Sequence, residues 1–300
     1  MRVVIVANPV SGRGRARKRS AALAAVLESR GHETVLVASE PRDATEWLPC
    51  HLAGADAVAA VGGDGTVRSV SKVLAEARIP IVHVPQGNEN LFARSQGMGR
   101  QLADTVASIE DGERHFVDMA EANGQAMLLM ASIGFDAEVV ADVAARRKDR
   151  VSSWLYVRAA LRTLRGWMPP ELTVLVDGEP VVSAKQGWVV VSNARQYAGR
   201  LDPAPMAVMD DGLLDMTFFP VASAAQMLRW LLRCRLGRQV GATGYVHHRV
   251  SRRIEINCAA PATWQLDGDP PPDGSPVLVD RLEVSLASKR LPVLTRSSVS

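Results

Sequence analysis

Three glycines surround one carboxylate at residues 61–66, which read Val-Gly-Gly-Asp-Gly-Thr. The loop follows the apolar run Ala57–Ala60 and precedes a helix-like stretch. Glycine has no Cβ, so the backbone N–H groups of such a loop can approach an anion closely, with a helix N-terminus behind them. A purely structural turn rarely needs Gly62, Gly63 and Gly65 together. The pattern therefore favours a phosphate-binding or nucleotide-binding loop.

Two further polar loops follow predicted strands. Residues 8–14, Asn-Pro-Val-Ser-Gly-Arg-Gly, follow the apolar run 2–7, and residues 85–90, Pro-Gln-Gly-Asn-Glu-Asn, follow the run 79–84. The carboxyl ends of parallel strands meet at one edge of a sheet, where α/β proteins bind their ligands. We therefore expect the three loops to converge on one crevice.

Short apolar runs alternate with helix-like stretches over residues 2–84, which is typical of βαβ units. The predicted elements are a strand at 2–7, a helix at 15–30, a strand at 33–39, a helix at 44–53, a strand at 57–61, a helix at 66–77 and a strand at 79–84. This order predicts an N-terminal α/β domain, residues 1–112, with a doubly wound parallel sheet.

From about residue 113 the pattern changes to strands joined by tight turns. Asn123-Gly124 and Asp177-Gly178 are hairpin signals, because a type I′ turn needs positive φ at both central residues. The predicted strands are 115–120, 126–131, 172–176, 180–184, 187–192, 213–219, 249–257, 262–267 and 277–286, and the predicted helices are 138–166 and 222–236. We expect residues 113–286 to form an antiparallel β-sandwich-like domain. Residues 287–300 either fray or return to the first domain.

The bulk composition fits about two globular domains: 300 residues, 47% hydrophobic and 22% charged. Three cysteines without a CxxC pair argue against a disulfide framework and a thiolate zinc site. No apolar run reaches the ~18–20 residues of a spanning helix, so we expect a cytoplasmic protein. The net charge of +3 is weak evidence for any partner, and we expect no nucleic-acid partner. The 30 Arg against 5 Lys suit phosphate contacts, although genome composition explains the arginine preference equally well.

Seven stretches occur in one order over nearly the whole chain. They are Asn-Pro-x-Ser-Gly-x-Gly from Asn8, Gly-Gly-Asp-Gly-Thr-Val from Gly62, Pro-x-Gly-x-x-Asn-x-x-Ala-Arg from Pro85, Val117-Asp118, Ile-Gly-Phe-Asp-Ala-Glu from Ile133, Asp-Gly-Leu-Leu-Asp from Asp211 and Leu-Asp-Gly-Asp from Leu266. Together they resemble the bacterial diacylglycerol kinase and lipid kinase family, which is related to sphingosine kinases and NAD kinases. The resemblance implies the NAD kinase/diacylglycerol kinase-like fold, ATP in a cleft and a lipid hydroxyl as acceptor.

The resemblance also implies roles for single residues. The implied nucleotide-binding residues are Asn8, Ser11, Gly12, Gly14, Ser39, Gly62, Gly63, Asp64, Gly65, Thr66, Gly87, Asn88 and Asn90. Asp64 and Asp118 are implied in the network of catalytic magnesium and its waters. Asp211, with the backbone carbonyls of Val208 and Leu213, is implied in a structural magnesium site. Phosphoryl transfer needs such carboxylates, because it depends on positioning and on neutralising phosphate charge.

Two positions depart from the family's pattern. The general base of the family is the Glu of an Asp-Gly-Glu turn, and this chain has Asp269 there, one methylene shorter. In the third loop Leu91 replaces an aspartate that many relatives contribute to the magnesium–water network. Glu89 is a candidate replacement, although residues two apart do not share a helix face.

Two basic stretches are candidates for peripheral contact with an anionic membrane. Residues 225–238 carry Leu228, Leu231 and Leu232 on one predicted helical side, with arginines on another. The second stretch surrounds Trp154 with basic residues Arg146, Arg147, Lys148, Arg150, Arg158, Arg162 and Arg165. A packed helix with a solvated charged face is the alternative interpretation of both.

The leading hypothesis is an ATP- and magnesium-dependent lipid kinase. In it Asp269 accepts the proton of a lipid hydroxyl that attacks the γ-phosphate, while Asp64 and Asp118 serve the magnesium. One alternative is a kinase of a soluble polyol or nucleotide. Another is a catalytically weak, nucleotide-binding regulatory protein, in which Asp269 and Leu91 have reduced the rate. The sequence identifies neither the lipid nor the oligomeric state.

Overall fold

The computed structural model describes residues 1–9, 11–146, 153–250, 252–272, 275 and 277–296. The chain forms two compact units: Met1–Asp118 together with the segment that begins at Ser288, and Met119–Ala287. Each unit has its own sheet and its own hydrophobic core.

The strands, numbered along the chain, are β1 (Arg2–Ala7), β2 (Glu33–Ala38), β3 (Ala57–Gly62), β4 (Ile81–Pro85), β5 (Glu113–Val117), β6 (Ala120–Ala122), β7 (Gln125–Met127), β8 (Met130–Ile133), β9 (Glu171–Val176), β10 (Glu179–Ser192), β11 (Leu214–Pro220), β12 (Val246–Val250), β13 (Arg253–Leu266), β14 (Leu278–Leu286) and β15 (Leu291–Thr295).

The α-helices are α1 (Arg15–Ser29), α2 (Ala44–Trp47), α3 (Asp64–Ala77), α4 (Leu91–Ser95), α5 (Leu102–Asp111), α6 (Phe135–Arg146), α7 (Ser153–Gly166) and α8 (Ala224–Arg235). Short 3₁₀ helices span Ser11–Gly14, Pro49–His51 and Ala198–Arg200.

The first unit is built on a six-stranded sheet in the order β2-β1-β3-β4-β15-β5, in which β1 to β4 are parallel. Every residue of β3 is buried, as expected for a central strand covered on both faces. Helices α1 and α5 pack on one face, where Leu23 and Leu27 meet Val3, Ile5 and Ala59. The parallel-sheet α/β domain predicted from the alternation of strands and helices is confirmed.

The segment after residue 287 returns to this first sheet. Strand β15 lies between β4 and β5, with Val293 opposite Ile81 and Leu291 opposite Val117. Because β5 pairs with β15, it belongs to the first unit, and the boundary falls after Asp118. The sequence placed it near residue 112 and ran one strand across it, since no turn residue interrupts positions 115–120.

The second unit is an antiparallel assembly in the order β12-β11-β10-β8-β13-β14-β6-β7, with β9 paired to both β10 and β13. Strands β10 and β13 are each 14 residues long. The first part of each pairs with β9 and the last part pairs with β8. Each long strand thus passes from one group of strands to the other, and the predicted sandwich-like architecture is confirmed.

The sequence split both long strands in two, and the structure joins the parts through irregular pairing. The register of β13 shifts between Asn257 and Ala262, and that of β10 shifts twice between Pro180 and Lys185. Such bulges let a strand bend without ending. The predicted helix 138–166 corresponds to α6 and α7, and residues 147–152 between them lie outside the described residues.

Both predicted two-residue turns are confirmed. Asn123 and Gly124 have φ of 46° and 77° and join β6 to β7. Asp177 and Gly178 have φ of 52° and 92° and join β9 to β10. The first turn connects strands of three residues, shorter than those predicted.

Candidate active site

The second and third glycine loops meet through their backbones. The Gln86 N–H donates to the Gly62 carbonyl at 2.7 Å. A Cβ on Gly87 would lie 2.9 Å from the Cα of Gly63, and a Cβ on Gly62 would lie 2.1 Å from Thr66 Oγ1. Gly87 is therefore needed for the two loops to approach each other, and Gly62 is needed for its own loop to turn tightly into α3.

Asp64 fastens the two loops together. Its Oδ2 accepts from the Leu91 N–H and its Oδ1 accepts from the Phe92 N–H, each at 2.9 Å. The carboxylate therefore caps α4 while it begins α3, in which Gly65 and the buried Thr66 follow it. A carboxylate oxygen that accepts one hydrogen bond retains another lone pair, so partly exposed Asp64 can still face a cation.

The described residues contain no group of three or more His, Cys, Asp or Glu side chains suited to hold a metal ion. A cage built only from those side chains is therefore excluded for this part of the chain. Magnesium at kinase sites uses one or two carboxylates and completes its shell with water and substrate phosphates. Asp64 fits that use.

Asn90 shapes the third loop from within. It has a left-handed φ of 48°, its Oδ1 accepts from the Gly87 N–H, and its Nδ2 donates to the Gly87 carbonyl, both at 2.8 Å. Asn90 is buried, so its amide is committed to the loop. Asn88 is exposed at the tip of the same loop and remains a candidate for contact with a ligand.

Glu89, the candidate replacement for the missing aspartate at position 91, is paired with an arginine in this structure. It lies before α4, where it forms an ion pair of 3.5 Å with Arg94. The Leu91 side chain is buried, and only its backbone N–H serves the site, by donating to Asp64. The helix-face argument did not apply, because Asn90 is the N-cap of α4 and Glu89 precedes it.

His83 supports the second loop and was not singled out by the sequence. Its Nε2 donates to the Gly62 carbonyl at 3.0 Å, which requires the proton on Nε2. Burial lowers the pKa of His83 to about 4, so the side chain is neutral at physiological pH. A single histidine inside an apolar strand carries no signal that would distinguish it from any core residue.

The first loop reaches the same edge of the sheet. The Asn8 N–H donates to the Val61 carbonyl at 3.1 Å, and the Ser39 N–H donates to the Ala7 carbonyl at 2.9 Å. Ser11 and Gly12 lie in the 3₁₀ turn that leads to Gly14, whose φ is 77°. Strand ends β1, β2 and β3 thus present the predicted residues side by side.

Asp118 closes the first unit at the end of β5. Its carboxylate is almost fully buried and forms an ion pair with Arg290, Nε to Oδ1, at 2.8 Å. Arg290 also donates to the Phe116 carbonyl at 2.9 Å. A residue from the returning segment therefore compensates the charge predicted to serve magnesium.

In the second unit, the Asp267-Gly268 pair forms a tight turn after β13. Both residues have positive φ, 52° and 82°, and Leu266 and Asp269 exchange two backbone hydrogen bonds of 2.9 and 3.0 Å. The two carboxylates of this turn have different surroundings. Asp267 is buried and accepts from the backbone N–H groups of Leu128, Leu129 and Met130 at 2.8–3.0 Å.

The Asp269 carboxylate is the available one. It is partly exposed, and no described residue donates a hydrogen bond to it. Asp267 is therefore a backbone anchor, whereas Asp269 is free to accept a proton. The sequence assigned the base to Asp269, and this geometry is compatible with that assignment.

A polar cluster surrounds Asp136 and contacts the Asp267-Gly268 turn through Gln265. The sequence did not predict that these side chains form a cluster. Ser132 Oγ donates to Asp136 Oδ2 at 2.6 Å, Trp188 Nε1 donates to Oδ1 at 2.7 Å, and the Tyr197 hydroxyl donates to Oδ2. Burial raises the pKa of Asp136, and the hydrogen bonds from Ser132, Tyr197 and Trp188 oppose that rise. The signal in the sequence was the stretch from Ile133, for which no role had been assigned.

Asp211 does not fit the predicted structural magnesium. Its Oδ2 pairs with the guanidinium of Arg249, and its Oδ1 accepts from the Leu213 N–H at 3.0 Å. The buried Asp215 lies 4.0 Å from Arg249 Nε and 2.6 Å from His247 Nε2. A divalent cation at Asp211 would have to displace the Arg249 guanidinium, whose side chain is 39% exposed, so the predicted ligation with the Val208 and Leu213 carbonyls competes with this ion pair.

Replacement of Asp267 by Ala is expected to destabilise the second unit by at least about 3 kcal/mol. The change leaves three buried backbone N–H groups without an acceptor, each at a cost of roughly 1–3 kcal/mol. Denaturant unfolding followed by tryptophan fluorescence measures the effect. Asp269→Ala is the matched control and should leave the midpoint nearly unchanged; equal losses for both variants would contradict the anchor role.

Arg249 should make the second unit independent of divalent cations. We expect the unfolding temperature of the wild-type chain to be the same in 5 mM EDTA and in 5 mM magnesium chloride. Arg249→Gln should lower stability by roughly 1–3 kcal/mol, because Asp215 loses its neighbouring cation in a buried site. A wild-type unfolding temperature that falls in EDTA, with a fall that Asp211→Asn abolishes, would show that a cation does bind at Asp211.

Comparison with known proteins agrees with the sequence motifs. Residues 2–122 match the family model for the diacylglycerol kinase catalytic domain, and residues 129–286 match the YegS C-terminal NAD kinase beta sandwich-like domain. Within the described ranges, none of the helices combines the length and the apolar character that crossing a bilayer requires.

Named relatives cover most of the chain. A diacylglycerol kinase of Mycobacterium tuberculosis (strain ATCC 25618 / H37Rv) is 33% identical over 236 residues, 76% of each chain. The diacylglycerol kinase of Bacillus subtilis (strain 168) is 27% identical over 276 residues, 89% of each chain. A solved diacylglycerol kinase structure from Bacillus anthracis str. Sterne has the same fold, with a TM-score of 0.72, 20% identity and coverage of 100% of this chain and 98% of that one. The chain belongs to the bacterial diacylglycerol kinase family, which includes the YegS-like lipid kinases.

Proposed function

We propose that this protein transfers the γ-phosphate of ATP, with magnesium, to the hydroxyl of a membrane lipid such as diacylglycerol. The observation that supports this most is the backbone contact between Gly63 and Gly87, fastened by Asp64. It leaves glycine backbone without side chains at the start of α3, and backbone N–H groups of this kind bind phosphate oxygens. Membership of a lipid kinase family supports the reaction class.

Basic residues near the first loop support an anionic ligand. The first turn of α1 contains no acidic residue, and Arg17 and Lys18 are exposed there. Cations at a helix N-terminus oppose the helix dipole and are unfavourable by themselves. A bound triphosphate beside Asn8, Ser11, Gly12 and Gly14 would offset that repulsion.

The chemical step is assigned to the residues as follows. The lipid hydroxyl oxygen forms a bond to the γ-phosphorus, its proton passes to the Asp269 carboxylate, and the bond to the β–γ bridging oxygen breaks, which releases ADP. Asp64 is the residue that would hold magnesium, which when bound neutralises charge on the phosphate oxygens. Asp118, whose carboxylate is paired with Arg290, is proposed to bind magnesium through water molecules.

Asp269→Asn tests the base. We expect kcat to fall ~10²- to 10⁴-fold, the usual value of a general base, with the Kd for ATP unchanged. Asp269→Glu, which has the side chain of the relatives' turn, should retain activity. The rate is measured with diacylglycerol, phosphatidylglycerol and sphingoid bases in mixed micelles.

The same assay separates the alternatives. Full activity of Asp269→Asn would contradict the assignment of the base. Turnover of glycerol or NAD without any lipid would favour a soluble substrate. ATP binding without transfer to any alcohol would favour the regulatory protein that Leu91 and the shorter Asp269 make plausible.

Two helices of the second unit expose apolar side chains that we propose contact the membrane. In α8 the buried residues are Met227, Trp230 and Cys234, so Leu228 and Leu232 point outwards, 59% and 58% exposed. The sequence had grouped these two leucines with Leu231 on one side of the helix. Only Leu231, which is half-buried, faces the unit in part.

Helix α7 contacts α8 and has a similar surface. Trp154 and Leu161, seven residues apart, are 74% and 56% exposed. Neither helix contains an acidic residue, and Arg158, Arg165 and Arg229 are exposed on them. Apolar side chains flanked by arginine fit an anionic bilayer surface. Of the second basic stretch, Arg146 and Arg162 pair with Asp142, while Arg147, Lys148 and Arg150 lie outside the described residues.

Cosedimentation with vesicles tests this surface. Leu228→Gln with Leu232→Gln should weaken binding to phosphatidylglycerol vesicles at least about tenfold, because two exposed leucines can no longer enter the bilayer. Leu36→Gln, at a similarly exposed leucine of the first unit, is the control and should bind normally. Equal binding of all three proteins would contradict the proposal, as would equal binding to neutral phosphatidylcholine vesicles.

A further inference from the structure

Gln265 connects the turn that carries Asp269 to the cluster around Asp136. Its Oε1 accepts from the Gly268 N–H at 2.7 Å, and its Nε2 donates to Ser132 Oγ at 2.9 Å and to Asp136 Oδ2 at 3.2 Å. Gln265 is buried. The orientation of its amide is fixed, because only the NH₂ end can face a carboxylate and only the oxygen can accept from Gly268.

The cluster that anchors Gln265 is tied to several elements. Ser132 lies in β8, Asp136 in α6 and Trp188 in β10, and Gln265 itself lies in β13. Trp188 is fully buried and stacks on Phe219, with ring centroids 4.6 Å apart. A group bonded to this cluster therefore shares the rigidity of the core of the second unit.

Asp269 itself lacks such support. Its carboxylate is separated from the backbone by two rotatable bonds, Cα–Cβ and Cβ–Cγ, and accepts no hydrogen bond from a described residue. The backbone of the turn therefore determines the Cα position and the Cα–Cβ direction from which the carboxylate extends. The closing pair between Leu266 and Asp269 leaves Gly268, at the tip of the turn, dependent on Gln265.

We propose that Gln265, through Asp136 and Ser132, is a positioning residue that places the Asp269 carboxylate for proton transfer. This inference rests on the proposed function, since it requires Asp269 to be the base. A displacement of ~1 Å at a reacting group costs on the order of a hundredfold in rate. A hydrogen bond to the neighbouring residue of a tight turn controls displacements of that size.

Gln265→Met is the first test, because it removes all three hydrogen bonds of the side chain at nearly constant volume. We expect kcat to fall about 10- to 100-fold with the Kd for ATP unchanged. Tyr245→Phe is the control: it removes a hydrogen bond of the same unit, to the Pro203 carbonyl at 3.2 Å, and should leave kcat unchanged.

A pair of variants tests the same idea without loss of polar groups. Gln265→Glu keeps the acceptor for Gly268 but faces the Asp136 carboxylate, so repulsion should displace the turn and reduce kcat at least about tenfold. In the double variant Gln265→Glu with Asp136→Asn, the roles are reversed. The amide at position 136 can donate to the carboxylate at position 265. The double variant should recover most of the lost kcat. If Gln265→Met does not fold, the kcat values of Gln265→Glu and of the double variant still test whether Gln265 positions the turn.

The outcomes separate this inference from the proposed function. If Asp269→Asn is inactive while Gln265→Met and Gln265→Glu keep the wild-type kcat, the positioning role is wrong and the base stands. If Asp269→Asn is fully active, the assignment of the base fails first. Recovery of the unfolding temperature in the double variant without recovery of kcat would reduce Gln265 to a structural role and overturn the inference.

Discussion

The hydrogen bonds from Leu91 and Phe92 to the Asp64 carboxylate are the constraint on which the first unit's site depends. Helix α4 has five residues, too few to be stable alone, and its orphan N–H groups need an acceptor. Asp64 supplies this acceptor from the second glycine loop, at the start of α3. The backbones can then approach at Gly63 and Gly87, where no side chain intervenes. One carboxylate therefore determines where the glycine-rich backbone is presented to a ligand.

The second unit repeats this solution with different elements. Asp267, the first acidic residue of its turn, accepts three backbone N–H groups and fixes residues 128–130 against the end of β13. In both Asp-Gly motifs, at Asp64 and at Asp267, a carboxylate thus accepts hydrogen bonds from backbone N–H groups of another segment. The groups to which we assign the proposed chemistry lie beside these anchors: the backbone of the loop after Gly62 in one unit, and the Asp269 carboxylate in the other. A sequence motif does not show which of its acidic residues accepts backbone hydrogen bonds and which has an available carboxylate.

The sequence predicted what local patterns control. Strand-helix alternation, the glycine loops at strand ends and the two type I′ turns needed only neighbours along the chain, and the fold class followed. The sequence did not predict contacts between residues that are distant along the chain. The commitment of Asn90 to its own loop, the pairing of Asp211 with Arg249 and the contact of His83 with Gly62 depend on tertiary geometry. The sequence left open whether Leu228 and Leu232 face outwards or pack inwards, because α8 contains apolar residues on more than one side and periodicity does not say which side is buried.

Strand β15 has a consequence for how the polypeptide is made. It lies between β4 and β5, so the first unit's sheet has a gap in its interior until residues 291–295 arrive. During translation the entire second unit emerges before that strand does, and meanwhile β4 and β5 present unpaired edges. Such edges are open to pairing with other chains until β15 is in place. Final closure of the sheet of the first unit therefore follows synthesis of the second unit.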